Sequence, residues 1–197
     1  MPNNLADYYR DLLIWEAQQH RQLIHTWPPE LVVAIEAAFV AAAPASSIKG
    51  SKCPIRAGST NQSIGNQVED YAITKLSSVI RGFTILPCSG AGYPDKTLVH
   101  EPSALRMPLE VKVTSNWNPC DSNRRVLTSS SEKLRTQFSD PIYHLLLTII
   151  YSPARLHAQV NTIRLDFLEP TTTVSVRLEA SINHKILSDG SHHSKLI

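Results

Sequence analysis

Apolar residues recur at helical spacing in three stretches. Over residues 4–25, Leu5, Tyr9, Leu12, Leu13, Leu23 and Ile24 recur in this way, with Asp7, Arg10 and Asp11 on the other faces, which predicts a first helix. Pro28 and Pro29 suit the first turn of a second helix, and Glu30 favours its positive end. This helix is expected to stop before Pro44. Ile64, Val68, Tyr71, Ala72, Leu76, Val79 and Ile80 form the stripe of a third helix over 64–81, with Glu69 at its border.

Farther along, the period changes to two. "GFTILPC" (82–88) and "KTLVH" (96–100) read as short strands separated by a glycine-bearing turn. In "MPLEVKV" (107–113), Met107, Leu109, Val111 and Val113 point one way, and Glu110, Lys112 and then Thr114 the other. "SSSE" at 129–132 is a capping box that opens a fourth helix ending near Phe138. "IYHLLLTIIYS" (142–152) is almost wholly apolar, as befits a strand buried on both faces. Two alternating strands follow at 163–168 and 174–178, and the tail "SDGSHHSKLI" is expected to be loose. Residues 44–63 and 115–125 read as loops; the first carries Lys49, Lys52 and Arg56 with no acid, so it is either an ordinary solvated loop or an arm that touches phosphates.

This order predicts an α/β fold: a central mixed β-sheet flanked by helices, with an N-terminal helical extension. Residues 1–63 would form the helical region and basic loop, and 64–197 the core, within one compact domain. A chain of 197 residues with 42% hydrophobic residues can build such a core, and 18% charged residues argue against disorder. The net charge of +2 does not announce a nucleic-acid partner, so the placement of individual charges matters more than the total. Cys53, Cys88 and Cys120 are odd in number and widely spaced, which suggests neither a disulfide framework nor a zinc knuckle. The apolar stretch 31–43 is too short and too acidic to span a bilayer, and no signal-peptide pattern opens the chain. The expectation is a soluble cytoplasmic protein with no membrane partner. HExxH spacing, Cys–His zinc spacing, a G-x-S-x-G elbow, a P-loop and a dinucleotide fingerprint are all missing.

Glu110 and Lys112 lie on one face of one strand, roughly 6–7 Å apart along it. A carboxylate there can hold a hard cation. A lysine there can steer or deprotonate a water, or steady charge building on phosphorus. With 17 acids in the chain, one Glu-x-Lys spacing is expected by chance, so the context must carry the argument. Asp95 provides that context. It is the only aspartate preceded by proline, it follows a turn after an apolar strand, and adjacent strands can bring it to Glu110. Two carboxylates, with water and phosphate oxygens completing an octahedron, describe a Mg²⁺ site.

Pro94-Asp95 followed by Glu110-Val111-Lys112 resembles the PD-(D/E)xK nuclease superfamily, which includes many type II restriction endonucleases and several repair and recombination nucleases. The resemblance implies a core in the order helix, strands, helix, strand, and residues 64–151 follow that order. By this resemblance Asp95 and Glu110 bind Mg²⁺, with the Val111 carbonyl as a third ligand. Lys112 contacts the attacking water and the scissile phosphate, and Glu69, on the preceding helix, binds a water of the metal shell or a second ion.

The segment after Lys112 is suited to nucleic acid. Ser115, Asn116, Asn118 and Asn123 can bond phosphates or adenine edges, Arg124 and Arg125 can read guanine or grip phosphates, and Lys133 adds charge on the next helix. The expected activity is Mg²⁺-dependent, sequence-specific cleavage of double-stranded DNA by a homodimer, leaving 5′-phosphate ends. A structure-selective repair nuclease or junction resolvase is the alternative, followed by a DNA-binding module without catalysis.

Overall fold

A computed structural model of the chain describes residues 3–4, 6, 22–90, 93–115, 125–127, 131–178, 182–186 and 193–197. Three helices are present among them: α1 (Pro29–Ala45), α2 (Asn61–Ser77) and α3 (Ser131–Gln137). The strands are β1 (Asn3–Asn4), β2 (Lys52–Pro54), β3 (Phe83–Pro87), β4 (Lys96–His100), β5 (Leu105–Thr114), β6 (Arg125–Leu127), β7 (His144–Pro153), β8 (His157–Leu168), β9 (Thr173–Leu178), β10 (Ile182–Ile186) and β11 (His193–Leu196).

The main sheet has seven strands in the order β11-β8-β7-β5-β4-β3, with β2 also paired to β8. It is mixed. β3, β4 and β5 form an antiparallel meander, and the chain then crosses over to lay β7 parallel to β5, with Glu110 level with Leu146. A second sheet has the order β1-β9-β10-β6. The expected α/β architecture, a mixed sheet flanked by helices, is what the chain builds.

Alternation divides the main sheet into two faces. Met107, Leu109 and Val111 of β5 and Leu145, Leu147 and Ile149 of β7 face the larger core. There they meet Ile35 and Phe39 of α1 and Val68, Ala72 and Leu76 of α2. The other face carries a smaller cluster, in which Leu146 and Leu168 pack with Leu134 and Phe138 from α3 and its C-terminal end, and with Leu23, Ile24, Tyr93 and Ile142. β7 is therefore buried on both sides, which explains its nearly continuous apolar run.

Several local expectations needed adjustment. Residues 22–28 are irregular rather than the end of a helix; Leu23 and Ile24 plug the smaller cluster, and the rest of the expected first helix lies largely outside the described residues. α1 runs through Pro44 to Ala45, so the bond that the proline cannot donate and its crowding of the preceding turn fall at the end of the helix. α2 begins earlier than its apolar stripe: the Thr60 side chain caps it by accepting from Ser63 N–H at 3.2 Å. The basic loop contains β2, with Cys53 opposite Ala158. The tail contains β11, which pairs Ser194 with Asp166. Such short polar segments lack periodicity, and only the waiting edge of a neighbouring strand makes them strands. Ser129 of the capping box lies outside the described residues. No described helix is long and apolar enough to cross a membrane.

Leu147 is fully buried in the larger core. Leu147→Ala should cost about 2–5 kcal/mol in urea unfolding, whereas Val33→Ala on the exposed side of α1 should stay within about 1 kcal/mol.

Candidate active site

The β4–β5 ladder ends with Lys96 opposite Leu109. One residue farther out, alternation stands Asp95 opposite Glu110, on the face turned away from α1 and α2. Asp95 N–H donates to Glu110 Oε2 at 3.2 Å, and Val111 N–H donates to Asp95 Oδ2 at 3.2 Å. Lys112 Nζ donates to Glu110 Oε1 at 2.5 Å. The two carboxylates and the ammonium thus form one hydrogen-bonded cluster. An extended residue projects its N–H and C=O to the same edge of the strand, so the Val111 carbonyl lies on the side that Asp95 occupies.

Burial sets the electrostatics. Glu110 is 2% exposed, and loss of water pushes its carboxyl up to about 7. The Lys112 ammonium works against this shift, and the Asp95 carboxylate reinforces it. For Lys112, burial works to lower the pKa, but Glu110, Asp95 and Glu69 together outweigh it and hold the group above the ordinary lysine value. Lys112 is therefore an ammonium that can donate protons and cannot accept one.

Glu69 arrives from α2. Its Oε1 lies 3.0 Å from Lys96 Nζ. Burial raises its pKa, the Lys96 hydrogen bond and charge oppose the rise, and Asp95 adds to it. The chain thus brings Glu69 into the field of Asp95 and Lys112 but couples it directly to Lys96. Alternation accounts for this: Lys96 follows Asp95 and therefore points to the opposite face, toward α2. Lys96 was absent from the expected site, although its position next to Asp95 was a usable signal.

The expected DNA contacts fare differently. Ser115 is exposed at the end of β5, beside the Tyr151 hydroxyl. Arg125 opens β6, opposite Lys185. Asn116, Asn118, Asn123 and Arg124 lie outside the described residues. Lys133 requires correction, since it is 7% exposed and its ammonium donates inward to Pro94 O at 2.7 Å and Gly90 O at 3.0 Å. A helix start that packs on the turn before Asp95 turns this lysine away from solvent. Arg164 of β8 is bound to the buried Asp166 through Nε at 2.9 and 3.0 Å.

Among the described residues, no group of three or more His, Cys, Asp or Glu side chains is placed to hold a metal ion. The oxygen donors that this strand end could offer a hard cation are the Asp95 and Glu110 carboxylates and the Val111 carbonyl. This set fits the ion, because Mg²⁺ takes one or two carboxylates and completes its octahedron with waters and substrate phosphates. Two acids held against each other in a buried place, one of them with its pKa displaced to about 7, also form a pair whose repulsion a cation relieves.

Glu110 holds its proton more tightly in the folded chain than at its ordinary value of 4.5. Its contribution to stability is full below that value and is lost as pH rises through about 7. Thermal unfolding in EDTA should show the wild-type melting temperature falling across this window relative to Glu110→Gln. Parallel pH profiles for the two proteins would contradict the shift.

No family model, no curated protein and no solved structure matches this chain.

Proposed function

We propose that the protein is a Mg²⁺-dependent endonuclease of the PD-(D/E)xK type, which hydrolyses phosphodiester bonds of double-stranded DNA at specific sequences. The observation that carries this reading is the cluster at the end of the β4–β5 ladder, with Asp95 opposite Glu110 and Lys112 two residues on along the same face. Its support from the fold is the order α2, β3–β5, α3, β7, interrupted by β6 of the second sheet, with β5 and β7 parallel, as the motif implies for the core.

Asp95, Glu110 and the Val111 carbonyl would hold the cation, which when bound neutralises phosphate charge and lowers the pKa of a water. Lys112 stands beside Glu110 as a permanent donor. Its role is to orient the scissile phosphate and steady the charge that builds on its oxygens, rather than to act as the base. Glu69 is tied to Lys96 on the other face of the strand end, so it acts on the site through its charge, which reaches Lys112 and Asp95. Arg124, Arg125 and the asparagines that follow β5 would read the bases, since they leave the strand that carries the catalytic pair. A palindromic target would call for a homodimer, with one active site for each strand.

Digestion of a large plasmid with Mg²⁺ should give discrete fragments with 5′-phosphate ends of reproducible sequence, and EDTA should abolish them. Cleavage confined to branched substrates would instead favour a junction-selective nuclease. Lys112→Ala should reduce the cleavage rate by at least about 100-fold, the usual scale for loss of one charge-stabilising donor, while gel-shift affinity for DNA in EDTA is retained. Cutting at the wild-type rate would refute the assignment of Lys112.

A further inference from the structure

Asp95 stands just outside the β4–β5 ladder, and two buried polar contacts, one from α3 and one from β7, hold Tyr93 and Pro94, which lead into it. The first is that of Lys133 of α3, with its ammonium on the carbonyls of Pro94 and Gly90. Burying a cation is costly unless acceptors take its protons, and an apolar side chain would fill the same space without that cost. Leu134, the next residue, shows that the helix otherwise packs here with apolar groups. Packing alone therefore does not account for a lysine at this position.

The second is that of His144, the first residue of β7. It is 1% exposed, and its ring lies nearly parallel to that of Tyr93, with centroids 5.7 Å apart. His144 Nε2 donates to Leu23 O at 2.6 Å, which leaves Nδ1 as the acceptor of the Tyr93 hydroxyl proton. Burial keeps the imidazole neutral by lowering its pKa to about 4. The residues that follow, Leu145 and Leu146, are in register with Leu109 and Glu110. The Tyr93 ring is thereby referenced to the strand beside Glu110, and the Pro94 carbonyl to α3.

We propose that Lys133 and the Tyr93–His144 pair are positioning residues, which set the Asp95 carboxylate against Glu110 by fixing Tyr93 and Pro94 from α3 and from β7. This rests on the nuclease reading of the site. Neither contact touches a carboxylate, so both act through the backbone, as outer supports of metal ligands do.

The test is Mn²⁺ binding to the full chain without DNA, followed by electron paramagnetic resonance, for wild type, Asp95→Asn, Lys133→Met and Tyr93→Phe. Melting temperatures in EDTA are measured alongside. Lys133→Met and Tyr93→Phe should each bind Mn²⁺ roughly tenfold more weakly, the scale typical of lost outer supports, and should keep wild-type DNA affinity in EDTA. Tyr93→Phe removes one oxygen and keeps the stacked ring, so it decides the matter if Lys133→Met does not fold. Wild-type Mn²⁺ affinity in the variants, with or without a lowered melting temperature, would overturn the positioning role and leave the nuclease reading intact. A wild-type chain that binds no Mn²⁺, or binds it equally well as Asp95→Asn, would overturn both.

Discussion

The register of β4 on β5 is the constraint on which the site depends. With Lys96 opposite Leu109, the next residue outward on β4 faces Glu110, and that residue is Asp95. A slip of one position would put Asp95 opposite an apolar side chain of the larger core and send Glu110 to a different neighbour, because side chains alternate across the sheet. Burial of Met107, Leu109 and Val111 against α1 and α2 makes such a slip costly. The hydrophobic core therefore selects the geometry of the polar cluster, which it meets through the backbone of Val111.

Holding two carboxyl groups together at a buried strand end opposes their natural ionisation. The chain manages this locally. Backbone N–H groups of Asp95 and Val111 each bond a carboxylate oxygen of the other strand, and Lys112 covers the remaining oxygen of Glu110. These contacts do not restore the ordinary ionisation of Glu110, whose pKa remains high because desolvation is the larger effect. An acid that burial and like charge displace toward neutrality is a candidate for function, and structural ion-pair networks produce such shifts as well. On this view the cluster is incompletely compensated by the protein itself, and a cation together with the oxygens of a phosphate would complete it.

The smaller core has a second purpose. Tyr93, Leu134, Leu23 and Leu146 pack there, and the same patch contains the buried polar contacts of Lys133 and His144. Apolar contacts alone tolerate sliding, whereas hydrogen bonds to the Pro94 and Leu23 carbonyls permit one arrangement. The combination lets a turn lead into β4 with little freedom. Lys96 and Glu69 serve on the opposite face, where α2 meets the strand end.

Much of the design was legible in the residues themselves. Alternation in 107–113 identified β5 and its polar face, the apolar run at 142–152 identified a doubly buried strand, and Pro-Asp with Glu-Val-Lys picked out side chains that meet at the end of the β4–β5 ladder. Period and local chemistry are properties of neighbouring residues, so they survive without the fold. Tertiary structure alone decided the rest. The inward turn of Lys133, the pairing of Glu69 with Lys96 and the seating of His144 on Tyr93 join residues far apart in sequence. The strands at 52–54 and 193–196 exist because an edge of β8 was open to them. Such outcomes depend on which groups share a volume and on which backbone edges are unsatisfied, and a linear pattern carries neither.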